Sequence, residues 1–203
     1  MLPLLQIVFD EFETNLGVLA VSAVNDPAIQ ERYIKLSNQK LNFSIQDEEQ
    51  RIIFAPALIP GMKIYRNFEG QECEVTIDRD TVKKVAINYA KNNRLNNVNI
   101  EHKEIVAPNG ESRPDIIEGV VLFESFLSDE NRSTSIKNFE HLPMGTWFLS
   151  GKVYNDQVWE DVKSGKLNGW SIHSQFKMKQ VENPETIDDR ALQAAVKYIL
   201  SKF

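Results

Sequence analysis

Hydrophobic and polar positions alternate along most of this chain, a pattern that predicts strands more often than helices. A short apolar run at 4–9 precedes an acidic turn, and 17–24 (GVLAVSAV) is small, β-branched and apolar on both faces. Such a run suits a central strand or one covered by helices. Asn25-Asp26-Pro27 ends it with a turn signal. Residues 28–36 read equally as a brief helix or an irregular excursion. Strands are expected at 40–45 and 51–57, paired as a hairpin, and at 63–66 and 72–77 beyond a loop forced by Pro56, Pro60 and Gly61.

Helical spacing first emerges at 80–92, where Val82, Val85, Ala86 and Tyr89 share a face and Asp80 is the expected N-cap. Residues 98–106 (VNIEHKEIV) again read as a strand, with Val98, Ile100 and His102 on one side. A turn-rich loop at 107–114 leads to the longest apolar strand, 116–127, in which Glu118 and Glu124 share a face. A polar loop follows at 128–142. The chain is organised around 143–177: a strand at 146–153, an amphipathic helix at 156–164, a glycine turn, and a strand at 170–178. Alternation sets Trp170, Ile172 and Phe176 on one face and Ser171, His173 and Gln175 on the other. After a proline-containing linker, 186–202 carries an apolar stripe of Leu192, Ala195, Val196, Ile199 and Leu200.

About eight strands and three helices predict a mainly β (α+β) fold, a small antiparallel β-barrel surrounded by helices. Residues 1–180 would form that barrel domain. Residues 181–203 would form a C-terminal amphipathic helix, packed on the barrel or used in an oligomer contact.

Composition narrows the function classes. The 203 residues are 42% hydrophobic and 26% charged, ordinary for a globular domain with a sizeable core. A formal charge of −6 argues against a dedicated nucleic-acid binder. One cysteine, Cys73, excludes an internal disulfide and a multi-cysteine zinc site. No apolar run reaches the roughly 20 residues needed to span a bilayer. The N-terminus lacks a basic n-region and a small-residue cleavage site, so no signal peptide is expected. Neither metal-ligand spacing nor a phosphate-cradling glycine loop is present, so no cofactor and no metal are expected.

The histidines number three, His102, His141 and His173, so a histidine base is nearly named in advance. His141 lies in the loop before Pro143 and reads as solvent-exposed. Ser171 is either an ordinary solvent-facing residue or a nucleophile delivered into a cleft. A serine nucleophile needs an adjacent base, and the base needs a third group to hold its tautomer. His173, two residues along the same strand, would stand roughly 7 Å from Ser171, too far for direct contact. His102, brought across the barrel, would supply the first contact, with Glu124 as the third group and Glu118 behind it. The alternative for both carboxylates is a sheet face open to solvent, since an unpaired buried acid is costly.

At these residues the chain resembles a family. The stretch GTWFLSGKVYNDQVWEDVKSGKLNGWSIHSQF is similar to the C-terminal half of the XkdF-like phage prohead proteases, with their Gly-Thr-Trp strand, short "W..VK.G" helix and Gly-aromatic-Ser-Ile strand. Upstream, IIFAPALIPGMKIYR resembles the family's "PAL.P...I.R" segment, and VSAVNDPAI its "S.VD.PA" strand and turn. NIEHK corresponds to the segment holding the family's catalytic histidine, and GVVLFESFL to the next strand. The resemblance covers roughly residues 17–178 and rests on five short motifs in the family's order.

It implies a fold related to the herpesvirus assemblin proteases, with Ser171 as nucleophile, His102 as general base and Glu124 as third member; Glu118 and His173 are the alternatives for that last role. It also implies a serine endopeptidase that cleaves scaffold and major capsid protein, and itself, during procapsid maturation. Such a protein would work in the host cytoplasm inside the procapsid, without nucleic acid or membrane, and as a possible homo-oligomer. One departure stands out: the family commonly has Ser-Ile-Glu where this chain has Ser171-Ile172-His173. The competing reading is a catalytically inactive structural or scaffold-associated protein with the same barrel. A third is an unrelated barrel that binds a peptide at an exposed edge strand.

Overall fold

The computed structural model describes residues 2–10, 17–27, 42–68, 70–130 and 138–181. The expected elements at 28–36 and 186–202, and the start of the strand expected at 40–45, lie outside these residues.

Among the described residues the fold is mainly β, with thirteen strands in four sheets and two helices. The first sheet is built from β1 (Leu4–Val8), β5 (Ile64–Phe68), β6 (Gln71–Thr76) and β13 (Lys177–Gln180), in the order β13-β1-β6-β5. The second contains β3 (Ser44–Asp47), β4 (Ile52–Leu58), β10 (Val120–Leu127) and β11 (Trp147–Val153), in the order β10-β11-β4-β3. The third joins β2 (Gly17–Val24), β7 (Val98–Ile100) and β12 (Gly169–Gln175), with β2 in the middle. A small hairpin of β8 (Glu104–Val106) and β9 (Ser112–Pro114) completes the set. None of the sheets closes on itself.

Burial follows the sequence pattern. β2, apolar on both faces, is the central strand of its sheet, antiparallel to β12 and parallel to β7. β4 and β11, the inner strands of the second sheet, are buried almost throughout. The helix α1 (Arg79–Lys91) buries Val82, Val85, Ala86 and Tyr89, as its spacing predicts. Its N-cap is Asp78 rather than Asp80: the Asp78 carboxylate accepts from the Thr81 N–H at 2.8 Å and from the Thr81 hydroxyl at 2.9 Å. Asp80 instead lies in the first turn, where a negative charge favours the helix dipole.

The organising stretch crosses from one sheet to another. β11 leads into α2 (Asp156–Lys163), capped by Asn155 and buried through Val158, Trp159 and Val162, and the chain then enters β12. β12 packs against β4. Trp170 fixes that packing: its ring is fully buried, its Nε1–H donates to the Leu149 carbonyl at 3.2 Å, and Phe43 meets it edge-on at 4.7 Å. Gly151 on β11 makes room for it. A Cβ there would lie 3.0 Å from the Trp170 ring, so a side chain at this position requires the buried indole, one residue before Ser171, to give by a few tenths of an ångström.

Three expectations change. The strand expected at 98–106 ends at Ile100 and turns: Glu101 and His102 both have positive φ (52° and 53°), and the Lys103 N–H donates to the Ile100 carbonyl at 3.0 Å. The strand expected at 170–178 is two strands, because the chain leaves β2 after Gln175 and pairs with β1 from Lys177. The strand expected at 116–127 starts at Val120, which leaves Glu118 in the preceding bend. A bulge between Leu122 and Glu124 then turns Phe123 and Glu124 both to the exposed side.

Candidate functional site

The site grows from one cross-strand row. Antiparallel pairing of β12 with β2 sets Ser171 opposite Ser22, and parallel pairing of β2 with β7 sets Ser22 beside Asn99. Three polar side chains therefore line up across a sheet whose neighbouring positions are apolar. Ser22 and Asn99 are fully buried, and Ser171 is 7% exposed. Each buried polar group left unpaired would cost about 1–3 kcal/mol, so the row must bond internally or to something placed above it.

That something is His102. The turn after β7 carries the imidazole over the row, and each ring nitrogen meets a serine. Nε2 lies 2.9 Å from the Ser171 hydroxyl, and Nδ1 lies 2.9 Å from the Ser22 hydroxyl. Ser22 in turn donates to Asn99 Oδ1 at 2.5 Å, and the Asn99 amide donates to the Lys103 carbonyl at 3.0 Å.

The turn itself is strained, since two successive residues with side chains occupy the left-handed region. Glu101 ties it to β2 and to the bend that follows that strand. The Glu101 N–H donates to the Ala23 carbonyl at 3.1 Å, and the Glu101 carboxylate accepts from the Asn25 N–H at 2.6 Å. Strain held by surrounding bonds is a frequent mark of functional backbone.

Ser171 and His102 open onto a cleft of about 480 Å³. One wall comes from the first sheet (Ile7, Ile64, Val75, Met178) and another from β4 (Ala57, Leu58), with Trp170 and Phe176 between them. The lining is mostly apolar; Arg66 brings a positive charge to it.

Electrostatics favour a neutral imidazole. Partial burial lowers the His102 pKa from the usual histidine value, and positive charge on His173 and Arg66 pushes the same way, against a smaller opposing pull from Glu104. The ring edge remains exposed while its nitrogens face the two hydroxyls. His173 lines the same cleft but is engaged elsewhere: its Nε2 pairs with the Glu104 carboxylate at 2.9 Å, and its ring centre lies 5.6 Å from that of His102. The Ser112 hydroxyl, and then His173, hold the Glu104 carboxyl below its usual range. Buried Nδ1 of His173 has no hydrogen-bond partner.

The expected pair, Ser171 and His102, is thus brought together, and the expected third member is not. Glu124 is exposed on β10, where it accepts a hydrogen bond from Ser150. Strand β11 lies between it and β4, the strand against which β12 packs. Glu118 is exposed in the bend before β10, and His173 serves Glu104. The position behind the imidazole belongs to Ser22, backed by Asn99. Both carried a sequence signal: each is the lone polar residue inside an otherwise apolar strand, GVLAVSAV and VNI. Among the described residues no group of three or more His, Cys, Asp or Glu side chains is placed to hold a metal ion. Nor is any described helix long and apolar enough to cross a membrane.

No family model, curated protein or solved structure matches this chain. The functional reading therefore rests on the residues and their geometry.

Proposed function

We propose that this protein is a serine endopeptidase with Ser171 as nucleophile and His102 as general base. The observation that carries the reading is the 2.9 Å contact between Ser171 Oγ and His102 Nε2 at the wall of an apolar cleft. A hydroxyl needs such a neighbour to attack near neutral pH. As the Ser171 oxygen bonds to the substrate carbonyl carbon, its proton passes to Nε2. Collapse of the tetrahedral intermediate breaks the C–N bond, and Nε2 returns the proton to the leaving amine. Water, deprotonated by the same nitrogen, then releases the acyl group from Ser171. The apolar cleft suits an extended peptide with an aliphatic or aromatic side chain near the scissile bond.

The motif resemblance supplies the setting we propose. The sheets would correspond to the barrel of the prohead proteases, and the substrates would be scaffold and major capsid protein inside a procapsid. Two of those five motifs hold Ser171 and His102, and the contact between these residues supports reading motif and geometry together.

A second reading, an inactive structural protein of the same fold, is favoured by the absence of a carboxylate behind His102. A fluorophosphonate probe and a scaffold or capsid precursor separate the two. The wild type should be labelled on Ser171 and should cleave, and Ser171→Ala and His102→Ala should lose activity on the order of 10⁶-fold. Undiminished cleavage by either variant would overturn the assigned roles. No labelling and no cleavage by the wild type would leave the structural reading.

A further inference from the structure

The geometry points to Ser22 and Asn99 as positioning residues that set the tautomer of His102 through an uncharged hydrogen-bond relay, in the place where a carboxylate usually stands. The argument starts at the far end. Asn99 has a donor end and an acceptor end, and the Lys103 carbonyl 3.0 Å from Nδ2 accepts only. The reversed amide would set two acceptors against each other there, so Oδ1 must face Ser22.

Oδ1 carries no hydrogen, so the 2.5 Å contact with Ser22 uses the one proton Ser22 has. The Ser22 oxygen can then only accept at His102, and the 2.9 Å contact requires the proton to be on Nδ1. That leaves Nε2 with a bare lone pair aimed at the Ser171 hydroxyl, 2.9 Å away. Every donor points the same way, from Ser171 through His102, Ser22 and Asn99 to the Lys103 carbonyl. The relay ends on the residue next to His102, so the strained turn that carries the imidazole also carries the final acceptor.

This arrangement orients the base without a negative charge. A carboxylate at Nδ1 would fix the same tautomer and also stabilise the imidazolium; a serine hydroxyl does the first and only weakly the second. Its consequence for catalysis rests on the serine-hydrolase reading. The proton arrangement does not, and the experiment separates them.

The test is a ¹H–¹⁵N spectrum of histidine-labelled protein above the His102 titration, together with the fluorophosphonate labelling rate. The wild type should show a protonated Nδ1 and an unprotonated Nε2. Ser22→Ala should move the proton partly to Nε2 and slow labelling by about tenfold to a hundredfold. Ser22→Thr, which keeps the hydroxyl on a strand-favouring side chain, should restore both. A wild-type His102 with its proton on Nε2 overturns the relay, with no variant needed. So does a folded Ser22→Ala protein whose tautomer and labelling rate match the wild type. An Nδ1-protonated His102 in a protein that never reacts would sink the hydrolase reading and leave the relay standing.

Discussion

Ser171 and Ser22 stand directly opposite each other on neighbouring strands, and a single imidazole spans both hydroxyls. Side chains opposed across an antiparallel ladder lie about 5 Å apart on one face, so strand register alone brings the two oxygens within reach of one ring. Slipping β12 by one residue would turn Ser171 to the opposite face while Ser22 stayed in place. The His102 ring is held on two sides, and whether it can act as the proposed base depends on which proton arrangement those contacts allow.

Acid should silence the site only below the ordinary histidine range. His102 must be neutral to accept the Ser171 proton, and partial burial, His173 and Arg66 lower its pKa while Glu104 opposes them. The acid limb of labelling rate against pH should therefore fall below 6.5, the unperturbed value. The same shift sets a stability trend. The unfolded chain takes up the proton first, so between 6.5 and the folded-state pKa stability falls as pH falls. Above 6.5 this contribution is flat. A limb at or above 6.5 would contradict the assignment of His102 as base.

Removing His173 should move that limb upward. His173 adds positive charge near His102 and occupies the Glu104 carboxylate at 2.9 Å. His173→Ala takes away the repulsion and frees Glu104, and both changes favour the imidazolium. The pH profile of labelling should shift toward the ordinary histidine value, with Ser171 still reactive. If activity is abolished at every pH, His173 has a more direct role than its geometry gives it.

Gly151→Ala should destabilise the protein and misplace the nucleophile together. The new methyl group would press on the buried Trp170 ring, one residue before Ser171. Overpacking of this kind costs typically about 1–3 kcal/mol. Urea denaturation should show the loss, and labelling of the folded variant should slow although no site residue has changed. Wild-type stability would mean the indole relaxes without cost.

Asp78→Ala should remove a helix cap far from the chemistry. Burial pushes the Asp78 carboxyl up, but bonds from Thr81 and Gln6 outweigh it and hold the pKa below the usual value. The variant should lose about 1 kcal/mol at neutral pH and keep its labelling rate in the folded state. Because the folded-state pKa is depressed, this contribution is present above about 4 and is lost as pH falls through the folded value. Equal wild-type and variant stability at pH 7 would show that the cap contributes nothing.

Much of this architecture was legible in the sequence, and its misreadings have physical causes. The helical spacing of α1 and α2, the alternation in β6 and the apolar runs of β4 and β11 predict those elements to within a few residues. VNIEHKEIV reads as one strand because it contains no turn-forming glycine or proline. The turn at Glu101 and His102 is imposed from outside, by Ala23 and Asn25, which lie far away in the chain. GWSIHSQFKMKQ shows no break because both halves alternate, and the change of partner at Phe176 leaves no local mark. Glu124 is the expected third member because it stands in a family-like Glu-Ser pair on the strand after His102; the bulge beside it turns it to solvent. Ser22 and Asn99 each interrupt an apolar strand. There the sheet is covered on both faces, and an interruption must find a partner inside.

The passage of one chain segment from β12 into β13 has a mechanical meaning. Ser171 and every member of the hydrogen-bonded chain behind it ride on one sheet and its attached turn, whereas much of the opposite wall of the cleft belongs to the sheet that β13 joins. The two sheets share one hydrophobic core, and Phe176 lies where the chain passes between them, its ring edge-on against Phe9 at 6.3 Å. Substitutions on that opposite wall can therefore reshape the cleft without touching the strands that align Ser171 with His102.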